Sequence, residues 1–293
     1  GGGGGEVRGR MLGIKDIDPG KGIVLLLLLL LIIALLLSRN SNTITHFMAG
    51  QVMGWQTVDF NQRETDNFII RYTAIDHDNI DLVAGASEYA FREVTGFFAG
   101  EPQGKTLVVV YPDTISLARS FGWDKSQKAE GVYWAGSIRI ISPQLWQGQP
   151  QAVAADAMQA GPLVHEFAHL MVDEETRGNY NRWWTEGIAQ YVEKQITGFQ
   201  FDQPLDNTPM IYPLSRLDNE FDSEDSWQAY WQSLQIIEYI VEENGEASLF
   251  SIMEHLGRGE NIRQGITRAL SVDFDQWEQG LYNALQKNAG QEV

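Results

Sequence analysis

The feature that most restricts the fold is an apolar run that contains H-E-F-A-H at residues 165–169. In a helix, His165 and His169 lie one turn apart on the same face, and Pro162 suits the first turn of that helix. Two imidazoles so placed can hold one zinc ion, with Glu166 as a base toward a metal-bound water. The alternative is a pair of core histidines, each of which needs a buried polar partner. The spacing favours zinc.

A third zinc ligand is expected, because a catalytic zinc usually has three protein ligands and one open position. The segment W-W-T-E-G-I-A-Q-Y at residues 183–191 supplies a candidate. Thr185 can cap a helix, which places Glu186 in its first turn; the alternative is an acid favoured there by the helix dipole. Gln190 and Asp173 are candidates for orienting a histidine N–H, although Asp173 could equally be an exposed acid.

These segments together resemble a known family. H-E-F-A-H-L followed by W-W-T-E-G-I-A-Q-Y is similar to the gluzincin metallopeptidases, specifically the small peptidase MA-like domains of bacteria. Residues 229–233, A-Y-W-Q-S, stand where those domains begin a helical tail with A-Y-x-x-S. The resemblance spans about residues 66–287. It implies an α+β, zincin-like fold with an N-terminal mixed sheet lobe, an active-site helix and a C-terminal helical lobe.

The resemblance also implies the site residues. The expected set is zinc (Zn2+) on His165, His169 and Glu186, Glu166 as general base, and Tyr230 as the donor to the oxyanion. Tyr230 also falls on an apolar helical stripe, so core packing is its alternative role; Tyr191 and Tyr212 are weaker rivals. The chain lacks the G-x-M-E-N motif by which related aminopeptidases bind a free N-terminus, which favours endopeptidase action.

The function that follows is hydrolysis of peptide bonds in a peptide or protein substrate by a zinc-activated water. Two alternatives stay open. The first is a non-catalytic member of the same fold that binds peptides or is stabilised by zinc. The second is a zinc amidase that acts on cell-wall peptides.

The N-terminal region predicts a membrane anchor. Residues 23–37 are fifteen uninterrupted apolar residues, and Arg8, Arg10, Lys15 and Lys21 precede them, so the positive-inside rule places the N-terminus in the cytoplasm. The expected segments are a disordered cytoplasmic N-terminus (1–21), a transmembrane signal anchor (22–38), a stalk (39–65) and an extracytoplasmic peptidase domain (66–290). A cleaved signal peptide, which would release the domain, is the alternative.

Composition excludes some kinds of chemistry and one class of binding partner. The chain has no cysteine, which excludes disulfides, Cys-ligated zinc and thiol catalysis. It has 39 Asp and Glu against 21 Lys and Arg, for a formal net charge of −18. Such a chain repels nucleic acid, so no nucleic-acid partner is expected.

Hydrophobic patterns predict the other elements. Strands are expected at Thr57–Phe60, Phe68–Tyr72, Lys105–Tyr111 and Gly136–Ser142, with helices at Asp81–Phe98 and near 226–243, 246–256, 261–270 and 273–287. The resemblance to gluzincins implies that the strand at Gly136–Ser142 is the sheet edge that pairs with the substrate; an ordinary sheet strand is the alternative. The acidic residues Asp218, Glu220, Asp222, Glu224 and Asp225 could bind calcium, but a solvated loop is the simpler interpretation. His46, His77 and His255 lack metal spacing and are predicted at the surface.

Overall fold

The structure, a computed structural model, describes residues 41–123, 129–146, 160–199, 210–221 and 226–291. The chain divides into two compact units, Gly1–Thr45 and His46–Val293. Only residues 41–45 of the first unit are described, and they begin a helix. The predicted anchor at 22–38 therefore lies outside the described residues. Among the helices that are described, none is long and apolar enough to cross a membrane.

Five strands form one mixed sheet, in the spatial order β1-β2-β3-β5-β4. The strands are β1 (Asn61–Glu64), β2 (Phe68–Tyr72), β3 (Thr106–Tyr111), β4 (Gly131–Trp134) and β5 (Ser137–Ile141). Strands β2, β3 and β5 are parallel, whereas β1 and β4 pair antiparallel with β2 and β5. Strands β3 and β5 are almost continuously buried, as expected for central strands covered on both faces.

The described helices come before, between and after these strands in the chain. They are α1 (Ser41–Gln56), α2 (Ile80–Phe98), α3 (Thr114–Ser120), α4 (Leu163–Thr176), α5 (Arg182–Thr197), α6 (Leu214–Glu220), α7 (Ser226–Asn244), α8 (Ala247–Gly257), α9 (Ile262–Leu270) and α10 (Phe274–Gln291). The large core joins one face of the sheet to α2, α4 and the C-terminal helices. A smaller core on the other face joins Met53 of α1 and Leu117 of α3 to Val109 and Ile141.

The predicted strands and long helices are present with small shifts of their ends, but three expectations need correction. The strand expected at Thr57–Phe60 is wrong, because the extended segment is β1, four residues later. Residues 41–64, which were assigned largely to a stalk, form α1 and β1. The strand at Gly136–Ser142 is not a sheet edge: β4 follows β3 in the chain but pairs outside β5, so β4 is the edge on that side of the sheet.

Helices α5 and α7 approach each other closely at Gly187. A Cβ atom built on this glycine would lie 2.5 Å from the Ser233 carbonyl oxygen and 2.6 Å from Ile237 Cγ1. The two helices can therefore lie this close only because residue 187 has no side chain. Since Glu186 is the preceding residue of α5, this contact also fixes where its carboxylate lies.

Candidate metal centre

Helix α4 carries both histidines of the H-E-x-x-H motif on one face. Pro162 precedes its first residue, and the helix ends at Arg177 in the left-handed conformation, φ 56°. The Nε2 atoms of His165 and His169 lie 3.1 Å apart. Their side chains are 15% and 9% exposed, so one edge of the pair remains open to solvent.

Helix α5 brings Glu186 to the same point. Its Oε2 lies 3.4 Å from Nε2 of both His165 and His169, and no hydrogen bond satisfies this buried oxygen. The grouping predicted from the sequence is therefore present: one atom from each residue lies within 4.8 Å of the others. The helix itself starts earlier than predicted. Asn181, not Thr185, is its N-terminal boundary, so Glu186 lies beyond the first turn.

The spacing of these three atoms suits a tetrahedral zinc ion. Ligand bonds of about 2.0–2.1 Å at tetrahedral angles separate the ligand atoms by roughly 3.3–3.4 Å. The observed separations are 3.1, 3.4 and 3.4 Å. Two nitrogens and one carboxylate oxygen also form a donor set that zinc prefers. A buried carboxylate oxygen and two imidazole nitrogens that meet at one point are therefore consistent with a bound cation.

Two further side chains orient the imidazoles through their other nitrogens. His165 Nδ1 lies 3.1 Å from Glu193 Oε2, and His169 Nδ1 lies 2.7 Å from Thr185 Oγ1. An Nδ1–H that donates to these oxygens leaves the Nε2 lone pair directed at Glu186. The sequence interpretation assigned this role to neither residue. Gln190 was one candidate for this role, but its amide donates to the backbone oxygens of Glu186 and Tyr230, and the imidazole Nδ1 atoms contact Glu193 and Thr185 instead.

Charge complementarity shifts the pKa values of the cluster in opposite directions. Burial would lower the pKa of His165, but its contacts with Glu186 and Glu193 raise that pKa well above the ordinary value. Burial would raise the pKa of Glu186, but His169, His165 and the Arg182 guanidinium hold it well below its ordinary value. The pocket thus favours an ionised carboxylate facing positive charge.

Glu166 lies against the edge strand rather than in open solvent. It is 7% exposed, and its Oε2 accepts a hydrogen bond of 2.5 Å from the Tyr133 backbone N–H. Burial raises the pKa of its carboxyl group. A Cβ atom on Gly131 would lie 2.8 Å from Glu166 Cγ, so strand β4 must carry a glycine at this point. The motif glutamate is therefore positioned by β4.

Tyr230 lies beside the cluster. Its hydroxyl donates to Glu186 Oε1 at 3.3 Å and accepts from Arg182 Nη2 at 3.2 Å, and Arg182 also lies 3.0 Å from the same carboxylate oxygen. Burial, followed by the charge of Glu186, raises the pKa of the phenol. The alternative tyrosines lie elsewhere: the Tyr191 hydroxyl contacts Glu246, and the Tyr212 backbone N–H binds Gln232.

Asp173 forms a separate buried group. It is 2% exposed, so the interpretation as an exposed acid is wrong. It accepts a hydrogen bond from the Tyr133 hydroxyl and lies 2.7 Å from His46 Nε2. The hydrogen bond to Asp173 raises the pKa of His46. This group ties α1 and the edge strand to the end of α4.

The remaining sequence candidates are distributed as follows. His77 is exposed as expected, whereas His46 and His255 are largely buried, with side chains 22% and 17% exposed. Asp218 accepts hydrogen bonds from Trp183 Nε1 and Asn181 Nδ2, which links it to the start of α5. Three members of the proposed calcium cluster (Asp222, Glu224 and Asp225) lie outside the described residues.

A helix with H-E-x-x-H and a carboxylate from the next helix together form a donor set typical of zinc hydrolases. Residues 149–287 match the family model of the peptidase MA superfamily. The chain therefore carries a peptidase MA-like domain, as the sequence resemblance indicated. The match includes helices α4 to α9 and most of α10, and the sheet lies ahead of it. The comparison with curated proteins returned no match.

Proposed function

We propose that this protein is a zinc-dependent endopeptidase, anchored in the membrane by residues 22–38, with its peptidase domain outside the cytoplasm. The observation that carries the catalytic part is the convergence of His165 Nε2, His169 Nε2 and Glu186 Oε2 at tetrahedral spacing. These three residues would hold the metal. When bound, zinc supplies a Lewis acid that polarises the substrate carbonyl and acidifies water.

The protein side chains have distinct tasks in this proposal. Glu193 and Thr185 hold the imidazole rings so that both Nε2 atoms stay directed at the metal position. Glu166 takes a proton from the attacking water on its carboxylate and delivers it to the leaving amine. The Tyr230 hydroxyl, already beside Glu186, is the candidate donor to the developing oxyanion.

Strand β4 is the candidate surface for an extended substrate. It is the edge of the sheet next to α4, and an edge strand can bind an extended peptide through main-chain hydrogen bonds. The Tyr133 N–H already reaches Glu166, so a peptide aligned along β4 would lie beside the general base. This arrangement favours cleavage within a chain, which agrees with the absence of the aminopeptidase motif.

Metal analysis and one conservative substitution test the catalytic part. The purified protein should contain about one zinc per chain, and it should cleave an unstructured protein such as casein. Glu166→Gln should keep the metal and lose about 10²–10⁴-fold in kcat. Glu175→Gln is the matched control, because Glu175 lies on the same helix but is exposed.

Two outcomes would contradict the catalytic part. A protein that is folded but takes up no zinc would refute the metal site. A zinc-loaded protein that cleaves neither casein nor a broad peptide library would indicate a binding domain instead. New amine termini on peptidoglycan fragments, without casein cleavage, would indicate the cell-wall amidase.

The anchor and its orientation rest on sequence alone: a fifteen-residue apolar run with basic residues before it. Alkaline phosphatase fused to the C-terminus should be active in intact bacterial cells, because that enzyme requires an oxidising compartment. An inactive fusion of normal abundance would contradict the proposed orientation.

A further inference from the structure

Helix α1 presents an apolar surface to solvent on the side that faces away from the sheet. We call this surface the outer face of α1; it consists of Phe47, Met48, Val52 and Trp55, which are 65%, 58%, 46% and 79% exposed. At about 100° per residue, these four side chains cover an arc of roughly 140°. Exposed apolar residues are ordinary when scattered, but a contiguous set on one helix face marks an interaction surface.

The opposite side of α1 is already packed. Ala49 and Met53 are 4% and 0% exposed, and Met53 belongs to the core on the second face of the sheet. Helix α1 is therefore apolar on both sides, a pattern typical of a helix that is covered on both sides. Within the described part of the chain, only the inner side has such a cover.

Helix α1 also has no Asp, Glu, Lys or Arg on its outer face. Its sixteen residues, S-N-T-I-T-H-F-M-A-G-Q-V-M-G-W-Q, contain no Asp, Glu, Lys or Arg, although the chain as a whole is strongly acidic. A solvent-facing helix surface normally carries charged residues. The outer face thus offers no electrostatic attraction to an anionic or cationic partner, and the partner that fits it is neutral and apolar.

The position of α1 in the chain identifies such a partner. The apolar run at residues 23–37 ends just three residues before α1 begins at Ser41. Four chain steps span at most about 14 Å. If the run enters a bilayer, α1 must start at or near the headgroup layer. Tryptophan is enriched at that depth, and Trp55 is the most exposed member of the outer face.

We propose that the outer face of α1 inserts into the interfacial layer of the lipid bilayer. This inference rests on the anchor part of the proposed function and is independent of the zinc chemistry. Binding comes from burial of apolar side chains rather than from basic residues, so it should occur on zwitterionic lipid and resist high salt. Because Met53 and His46 join α1 to the folded domain, insertion would hold that domain close to the membrane surface.

Site-specific fluorescence on the full chain tests this insertion. The chain has no cysteine, so Val52→Cys introduces a single site for an environment-sensitive dye. Glu101→Cys is the matched control, because Glu101 is exposed in the loop after α2. Both proteins are reconstituted into phosphatidylcholine vesicles that contain a lipid brominated near the headgroup end of its acyl chains.

The dye at position 52 should show blue-shifted emission and at least a twofold loss of intensity on brominated lipid, equally at low and high salt. The dye at position 101 should show neither change. Trp55→Glu, at an exposed position, should leave the melting temperature unchanged and reduce the quenching at position 52. This last variant excludes insertion driven by the dye alone.

The possible failures are distinguishable. A chain that does not float with vesicles would overturn both the anchor and the insertion of α1. A chain that floats but shows no quenching at position 52 would overturn the insertion and leave the anchor standing. Disulfide-linked dimers of unlabelled Val52→Cys, together with no quenching, would show that a second copy covers the outer face. Zinc content and casein cleavage of the same preparations report separately on the catalytic proposal.

Discussion

The contact between α5 and α7 gives a quantitative test of how the residues of the candidate metal centre are positioned. Gly187→Ala places a Cβ atom 2.5 Å from the Ser233 carbonyl oxygen, where ordinary contact begins at 3.4 Å. The two helices must therefore separate by about 0.9 Å, a typical overpacking strain that costs about 1–3 kcal/mol of unfolding free energy. Ile237 Cγ1, at 2.6 Å on a fully buried residue, offers no easy relief.

This cost converts into a measurable shift. A domain of this size loses about 2–4 °C in melting temperature per kcal/mol, so Gly187→Ala should melt about 2–12 °C lower. A displacement of α5 also moves the neighbouring Glu186, and metal sites tolerate only about 0.2 Å in ligand distances. Zinc affinity should therefore fall together with stability. Differential scanning calorimetry and competition with a chelating dye measure the two effects.

Gly85→Ala is the matched control. Gly85 lies within helix α2, and a Cβ atom there meets nothing within 4 Å. Removing a mid-helix glycine should stabilise the protein by about 0.5–1 kcal/mol, with zinc affinity unchanged. If Gly187→Ala melts at or above the temperature of the unmodified protein and binds zinc equally well, the close approach of α5 and α7 is wrong.

Three further substitutions test individual contacts. Glu193→Ala removes the acceptor that orients one imidazole of the proposed zinc site, so the zinc dissociation constant should rise about 10–100-fold in chelator competition; an unchanged value would refute the orienting role. Gly131→Ala forces Glu166 away from its position against β4 and should lower kcat about 10–100-fold at unchanged zinc content, whereas a loss of zinc would show a wider distortion. The folded-state pKa of His46 is raised above 6.5 by its buried carboxylate partner, so its stabilising contribution is complete below about pH 6.5 and disappears as pH rises through the raised value. Urea unfolding of His46→Ala should therefore show a larger deficit at pH 6 than at pH 9, and the exposed His77→Ala should show none at either pH.

The parts of the fold that the sequence predicted well are those with strong local patterns. Strand Phe68–Tyr72 and the helices that begin at Ser226, Ala247, Ile262 and Phe274 lie within a few residues of their expected bounds. Long amphipathic or fully apolar segments specify their own secondary structure. The short elements α3, α6 and β4 were missed, because four to seven residues carry little periodicity.

Local sequence patterns did not predict the order of the strands in the sheet. Strand β5 was expected at the edge because gluzincins have an edge strand ahead of the zinc helix, but β4 pairs outside it through a two-residue turn at Ala135 and Gly136. Both turn residues have positive φ, 47° and 83°, which suits a tight hairpin. Which side of β5 the hairpin occupies depends on packing against α4, and the strand residues alone do not encode it.

In the candidate site, too, the sequence predicted some residues and missed the roles of others. His165, His169 and Glu186 were found from spacing and resemblance, and the structure brings their ligand atoms together. Glu193 was missed, although it lies seven residues after Glu186 and so on the same face of α5. Thr185 was interpreted only as a helix cap. Its contact with His169 joins two different helices, so the local sequence does not reveal it. Roles that depend on packing between helices leave little trace in local sequence.

The hydrogen bond from the Tyr133 backbone N–H to Glu166 has a consequence for self-association. An unpaired amide on an outer strand is a template on which another chain can extend the sheet and start aggregation. In this protein the carboxylate proposed for proton transfer occupies that amide. Glutamine at position 166 retains an acceptor oxygen for it, whereas alanine would expose it. Glu166→Ala should therefore be more prone to form oligomers than Glu166→Gln. Inactivity of the alanine variant alone would then not distinguish loss of the proposed base from association of the chains.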